Sequence, residues 1–170
     1  MIKFTGPKSV LYPHSRLLYK SYENISAGIK NIVPTLQELD QIIQNHPQAH
    51  FADSNLYVVL FGYDSEQCWV GRDVIGHFRP TGKFSIFDSF KSDGYEWESE
   101  LEDIVRGDGG DIIKQAEKLK SLGGEELAKT WRIKIGPIED SPIFTEESNI
   151  LLSAPFQISF QFYKINNESN

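Results

Sequence analysis

The sequence predicts a single α+β domain over residues 1–170, with a mostly antiparallel sheet of about five or six strands and helices packed on one face. Two observations lead to this prediction. Five short segments carry the continuous or alternating apolar patterns of strands, and three segments carry the apolar spacing of helices. A chain of 170 residues is also of the length that one domain usually takes.

The first predicted helix covers Thr35–Asn45. Thr35 and Glu38 form the T-x-x-E pattern of a capping box, and leucine and isoleucine residues follow at helical spacing. Pro47 cannot continue a helix, so the helix is expected to end before it.

The two ends of the chain have less pattern. Residues 1–33 are poorly defined, because Pro13 interrupts the helix that their apolar residues would otherwise favour. Residues 166–170 are polar, and we expect them to fray.

Three strands are predicted in the middle of the chain, with short turns between them. Leu56–Tyr63 is apolar at nearly every position, which is typical of a central strand buried on both faces. Cys68–Ile75 and Lys83–Phe90 follow it. Strands that succeed one another across short turns favour an antiparallel meander.

The second half of the chain carries two predicted helices and two predicted strands. Glu96–Val105 places Trp97 and later apolar residues on one helical face, and Asp111–Leu122 forms the next helix. Apolar and polar residues alternate in Trp131–Ile135 and in Phe156–Tyr163, which predicts half-buried antiparallel strands.

Composition indicates a cytoplasmic protein. The lone cysteine, Cys68, cannot form an internal disulfide, the first residues lack the apolar run of a signal peptide, and no stretch approaches the roughly 20 apolar residues of a membrane span. We therefore expect no membrane association.

The sequence carries no recognisable catalytic or metal-binding pattern. Asp93-Gly94 followed by Glu100 partly matches a calcium loop, but the alignment places Ser89 and Lys91 where that loop needs carboxylate ligands. His46 and His50 have the spacing of zinc ligands on a helix, but Pro47 lies between them. No nucleophile elbow or Walker lysine is present. We therefore predict no cofactor, no metal, no catalytic residue and no enzymatic activity.

The net charge of −7 lies in one segment. Residues 88–111 contain nine acidic and only two basic residues, while acids and bases balance in the rest of the chain. Such a segment repels the phosphates of nucleic acid and attracts a basic protein. The predicted partner-binding residues are Asp93, Tyr95, Glu96, Glu98, Glu100, Glu102, Asp103 and Asp108.

The helix and strand near the middle of the chain resemble those of immunity proteins from bacterial polymorphic toxin systems. The matching segments are P-T-L-Q-E-L-D-Q-I-I-Q-N (Pro34–Asn45) and L-Y-V-V-L-F-G-Y-D (Leu56–Asp64). The resemblance implies a small, acidic, cytosolic antitoxin that binds a cognate toxin domain, often a basic nuclease, and covers its active site. The resulting functional hypothesis is a non-catalytic toxin inhibitor that acts through its acidic surface.

Two alternatives stay open. A regulator from a phage or mobile element could use the acidic segment to mimic nucleic acid. A small enzyme could bring its carboxylates together only in the fold, with buried acids of raised pKa. The sequence leaves the oligomeric state undetermined.

Overall fold

The computed structural model describes residues 4–61, 67–80, 82–100, 109–123, 127–136, 138 and 157–164. Within these ranges, strands and helices follow one another along the chain as β1 (Phe4–Tyr12), β2 (Ser15–Tyr22), α1 (Ile25–Lys30), α2 (Ile32–Gln44), β3 (His50–Phe51), β4 (Leu56–Phe61), β5 (Cys68–Ile75), β6 (Phe84–Ser89), β7 (Ser92–Glu100), α3 (Gly109–Gly123), β8 (Leu127–Gly136) and β9 (Gln157–Lys164).

All the strands belong to one antiparallel system, so the prediction of a mostly antiparallel sheet in a single domain is confirmed. The hydrogen-bonded order is β1-β7-β9-β8-β4-β5-β2-β6, and the short β3 pairs with the end of β5. Over the described ranges the sheet has nine strands, so the expectation of five or six strands was wrong. The additional strands are β1 and β2, from the unpatterned first residues, together with β3 and β7.

The described residues of the poorly patterned N-terminal segment, 4–33, form two strands, a short helix and the start of α2. Pro13 lies in the gap between β1 and β2, where it ends a strand instead of interrupting a helix. β2 pairs with β5 on one side and β6 on the other. The predicted meander of three successive strands is therefore wrong. β4 and β5 are neighbours as predicted, but β2, from the start of the chain, lies between β5 and β6.

The predicted helix over 96–105 is also wrong in its described part, because β7 runs from Ser92 to Glu100 and pairs with both β1 and β9. Tyr95 and Trp97 alternate with Glu96 and Glu98 at the period of a strand. Residues 101–105 lie outside the described residues. A short alternating segment was thus assigned a helical period because only its large apolar residues were counted.

The helix predicted over Thr35–Asn45 is confirmed, but it begins earlier. Asn31 occupies the N-terminal cap position, and Thr35 lies inside the helix, where its hydroxyl donates to the backbone oxygen of Asn31. The prediction that Thr35 and Glu38 cap the start of this helix was therefore wrong. α3 confirms the helix predicted over Asp111–Leu122. β8 and β9 confirm the last two predicted strands, except for Phe156, which lies outside the described residues.

The apolar core lies between the helices and one face of the sheet, called the helix face. Large side chains from the strands meet there, among them Trp97, Trp131, Phe160 and Phe162. The three helices contribute the buried residues Ile25, Ile32, Leu36, Leu39, Ile42, Ile113, Ala116 and Leu119. None of the helices in the described part of the chain has the length and apolar character to span a membrane.

Candidate functional site

The opposite face of the sheet, called the open face, receives the alternate side chain of each strand. A small apolar cluster of Leu17, Tyr57 and Val59 lies on it, with Tyr19 and Trp69 packed against them. Within the described residues, no helix contributes to this cluster. The open face is therefore the part of the sheet where side chains are organised independently of the helices.

Four buried polar side chains cross the middle of the open face, and we call them the polar cluster: Glu96, Gln161, Arg132 and Asp73. Strand pairing sets Glu96 opposite Gln161 and Gln161 opposite Arg132. Gln161 Nε2 donates to Glu96 Oε1 at 2.5 Å, and Arg132 Nε donates to Gln161 Oε1 at 2.5 Å. The cluster ends at Asp73, whose Oδ2 lies 3.7 Å from Arg132 Nη1.

Three tyrosine rings surround the Arg132 guanidinium. Its central carbon lies 4.0 Å from the ring centroid of Tyr57 and 5.8 Å from those of Tyr12 and Tyr163. Cations are attracted to ring faces at such distances, most strongly where water is excluded. The Tyr57 hydroxyl is fixed by donating to Asp53 Oδ2 at 2.8 Å. The guanidinium thus lies in an aromatic cage with a carboxylate at its side.

Burial determines the protonation of these groups. Loss of solvent raises the pKa of Asp73 to about 6, even though Arg132 lowers it, and Asp53 adds a further increase. Burial likewise raises the pKa of Tyr12 and Tyr57, so both rings stay neutral. Burial would lower the pKa of Arg132, but the tyrosines and Asp73 hold it above its usual range. The cage therefore contains a permanent cation.

In the part of the chain that the structure describes, one carboxylate oxygen of the polar cluster lacks a hydrogen bond. Asp73 Oδ1 is buried, and no donor among the described residues reaches it. A buried acceptor without a partner costs free energy, so native proteins usually supply a partner. The oxygen is thus available to a donor from outside the described residues.

The other half of the open face is an aromatic surface, which we call the aromatic shelf: Tyr19, Trp69 and Phe87. The rings of Tyr19 and Trp69 are stacked with centroids 3.8 Å apart, and Phe87 meets Trp69 edge-on at 5.4 Å. Phe87 remains 44% exposed. The shelf therefore offers ring surface to a flat molecule next to the polar cluster.

Gly71 lies between the shelf and the cage. It pairs with Tyr19 on β2 and with Tyr57 on β4, so no side chain separates these two rings. The backbone of β2 approaches so closely that a Cβ at this position would lie 2.2 Å from the Leu18 oxygen. Only glycine fits there without a shift of the strands.

The predicted partner-binding residues do not form one surface where they are described. Asp93 and Glu98 are exposed. Glu96 is buried in the polar cluster, so the expectation that its carboxyl faces solvent was wrong. Tyr95 is half-buried with the Lys164 ammonium 4.9 Å from its ring centroid. Nothing is described of the Glu100 side chain, and Glu102, Asp103 and Asp108 lie outside the described residues.

Sequence reasoning missed the residues that the open face brings together. Arg132 and Gln161 were assigned to the solvent side of alternating strands, although both are buried. A usable signal was the pair Arg72 and Asp73 within the otherwise apolar predicted strand C-W-V-G-R-D-V-I. Charged residues in the middle of a buried strand indicate a buried polar arrangement.

Across the described ranges, no three histidine, cysteine, aspartate or glutamate side chains come together in a way that could hold a metal ion. His46 contacts the Ile42 backbone oxygen through Nδ1 at 2.7 Å. Cys68 is a buried core residue, and burial raises the pKa of its thiol to about 12. A thiol that stays protonated is a poor nucleophile.

No known protein family matches the sequence, and no curated protein matches it. Solved structures do match the fold. The C-terminal domain of EcmrR has a TM-score of 0.64 and 12% identity, with 98% of this chain and 99% of that chain covered. SAV2435 bound to tetraphenylphosphonium has a TM-score of 0.55 and 10% identity, covering 98% of both chains.

A third match is a putative bacterial transcription regulation protein from Staphylococcus aureus MU50. It has a TM-score of 0.53 and 8% identity, with 95% of this chain and 99% of that chain covered. At such low identities, the likeness shows that the chain shares the fold of these proteins.

Proposed function

We propose that the chain is a binding domain for a small aromatic molecule, which lies on the open face. The observation that carries the proposal is the juxtaposition of the aromatic shelf with the buried polar cluster. The shelf supplies ring surface, and the polar cluster supplies orientation. Sites for small molecules commonly combine mostly apolar walls with a few fixed polar groups.

Energetics favour a functional role for the polar cluster. Taking the Arg132 and Asp73 charges out of water costs several kcal/mol per ion, and an ion pair of 3.7 Å recovers this only in part. Apolar side chains at these positions would serve the sheet equally well. A buried arrangement that is unfavourable for stability is expected where a ligand uses it.

The matched structures support the proposal. SAV2435 carries tetraphenylphosphonium, a molecule with four phenyl groups, and another match is described as a putative transcription regulation protein. By analogy, we propose that the open face senses an aromatic compound and that the process it serves is transcription regulation. This step rests on shared fold.

Calorimetric titration with tetraphenylphosphonium and with indole, an uncharged aromatic probe, tests the proposal. We expect saturable binding of at least one probe to the unchanged chain. Trp69→Leu is expected to weaken that binding about tenfold or more, because it removes the stacking surface of the shelf.

Phe90→Leu is the matched control. Phe90 is 83% exposed and follows β6, outside the aromatic shelf. It should bind the probes as the unchanged chain does. Absence of saturable binding to the unchanged chain, or equal losses in the two variants, would contradict the proposal.

Neutralisation of a basic toxin domain stays a second proposal, favoured by the exposure of Asp93 and Glu98 on β7. Here the measurement is the rate of association with a cognate toxin captured from the native cell, at low and high salt. Charge reversal of both residues to lysine should slow association at low salt. An unchanged association rate would show that these two carboxylates do not attract the toxin. Nucleic-acid mimicry and a small enzyme stay predictions from the sequence.

A further inference from the structure

Arg132 occupies the place that an aromatic cage would otherwise offer to a positively charged ligand. Its guanidinium carbon lies 4.0 Å from the ring centroid of Tyr57, and Asp73 Oδ2 lies 3.7 Å from its Nη1. Ring faces next to a carboxylate are the usual partners of organic cations. The chain has thus supplied its own cation to the cage.

Resting on the proposed function, we infer that Arg132 is a tethered cation that fills the cation position of the open face, so that the site takes an uncharged aromatic ligand. Arg132 is the specificity-determining residue in this account. A second cation beside it would meet a like charge at short range, with little water to screen the repulsion.

The polar atoms still available on the open face agree with an uncharged ligand. Glu96 Oε1 already accepts from Gln161, and Asp73 Oδ2 faces Arg132. Asp73 Oδ1 lacks a donor among the described residues. It is suited to accept from one N–H or O–H group of a flat ligand whose rings lie on the shelf at Trp69. The ligand class is therefore an uncharged aromatic molecule with a hydrogen-bond donor.

A guanidinium suits this role better than a titrating group would. Arginine stays charged at all physiological pH values, so the positive charge in the cage is not lost by deprotonation. Its planar fork also bonds Gln161 while it faces Asp73. The exclusion of cations is therefore a fixed property of the fold.

Arg72 provides a matched control. It is the other buried arginine among the described residues, lying 3.6 Å from the centroid of the Phe51 ring and donating to the Asp53 backbone oxygen at 2.7 Å. Its neighbours on β5 alternate so that it faces the helices, away from the aromatic shelf. Replacing Arg72 therefore removes a buried contact between a guanidinium and an aromatic ring that lies outside the proposed site.

The first experiment compares N-methylquinolinium, a flat cation, with indole, a flat uncharged donor of similar size, by calorimetry. The unchanged chain is expected to bind indole about tenfold more tightly than the cation. Arg132→Met should raise the affinity for the cation about tenfold or more. Arg132→Lys and Arg72→Met should keep the original order, and circular dichroism checks that each variant is folded. A folded Arg132→Met variant with unchanged or weaker cation binding would overturn the inference.

The second experiment tests the cage without any aromatic ligand. Arg132→Ala should gain thermal stability saturably from added methylguanidinium, because the free cation fills the vacated cage, while the unchanged chain should gain none. If methylguanidinium did not raise the thermal stability of the variant, the inference that Arg132 fills a cation position would be overturned. A gain in the variant, with no aromatic probe bound by any chain, would retain the tethered cation and overturn the proposed function.

Discussion

The two faces of β9 are equally buried but opposite in chemistry. Phe160 and Phe162 face the helices, while Ser159 and Gln161 face the open side, and all four are less than 5% exposed. On the helix face, Trp131 stacks on both phenylalanines with centroids 5.7 and 5.6 Å apart. On the open face, burial instead encloses hydrogen-bonded polar groups. One face of the sheet therefore secures the fold, and the other holds the polar groups of the proposed site.

The largest expected effect comes from the helix face. Trp131→Ala removes a ring that is fully buried between two others, and large-to-small changes of this kind cost about 3–5 kcal/mol. Urea unfolding of the variant measures the loss. A loss below about 1 kcal/mol would mean that the helix face is not the stabilising face.

The next effect is a pH dependence carried by the open face. The folded chain raises the pKa of Asp73 to about 6, so it holds the proton more tightly than the unfolded chain does. Stability from this group is therefore full at low pH and falls as the pH rises to about 6. The pKa of Asp73 in the folded chain lies roughly 2 above that in the unfolded chain, which corresponds to a loss of about 3 kcal/mol in the free energy of unfolding.

Asp73→Asn removes this titration. Its free energy of unfolding should fall less between acidic and neutral pH than that of the unchanged chain, as measured by urea unfolding at a series of pH values. Parallel curves for the two chains would show that Asp73 does not titrate in this window.

A smaller loss is expected from the middle of the polar cluster. Gln161→Leu keeps the volume but leaves Arg132 Nε and Glu96 Oε1 without the partner that joins them. We expect the variant to be less stable by about 1–3 kcal/mol. Ser159→Ala, on the same strand and face, is the control and should cost less. Equal losses would indicate that the cluster has no special role.

The smallest expected effect lies at the surface of the helix face. Lys20 Nζ lies 3.2 Å from Glu38 Oε1, with both side chains partly exposed. Such pairs contribute about 0.2–1 kcal/mol and weaken with salt. Lys20→Ala should therefore cost little, and thermal unfolding at low and high salt should show the difference disappearing. A loss comparable to that of Gln161→Leu would contradict the small contribution expected of an exposed ion pair.

Sequence patterns predicted the helix-face elements well, because apolar periodicity records what packs against helices. α2, β5, β8 and β9 all follow their apolar residues closely. β7 was mistaken for a helix, because Trp97 was grouped with later apolar residues instead of with Tyr95. The pairing of β2 between β5 and β6 depends on contacts distant in sequence, which local patterns do not record.

The site was less predictable than the fold. Polar residues that alternate with apolar ones usually face water, so Arg132 and Gln161 gave no sign of burial. Their enclosure depends on strands from distant parts of the chain meeting in one sheet, in the order β7, β9, β8, β4 and β5. The acidic segment drew attention by its charge, yet among its predicted residues whose side chains are described, only Glu96 belongs to the polar cluster.

The three tryptophans allow the central claim to be tested directly, because they report on different faces. Trp69 lies on the open face, whereas Trp97 and Trp131 are buried in the core of the helix face. The measurement is the shift of each indole N–H resonance as indole, the uncharged probe, is added. The account predicts a saturable shift for Trp69 with Trp97 and Trp131 nearly unchanged. Shifts at Trp97 or Trp131 without one at Trp69 would contradict it.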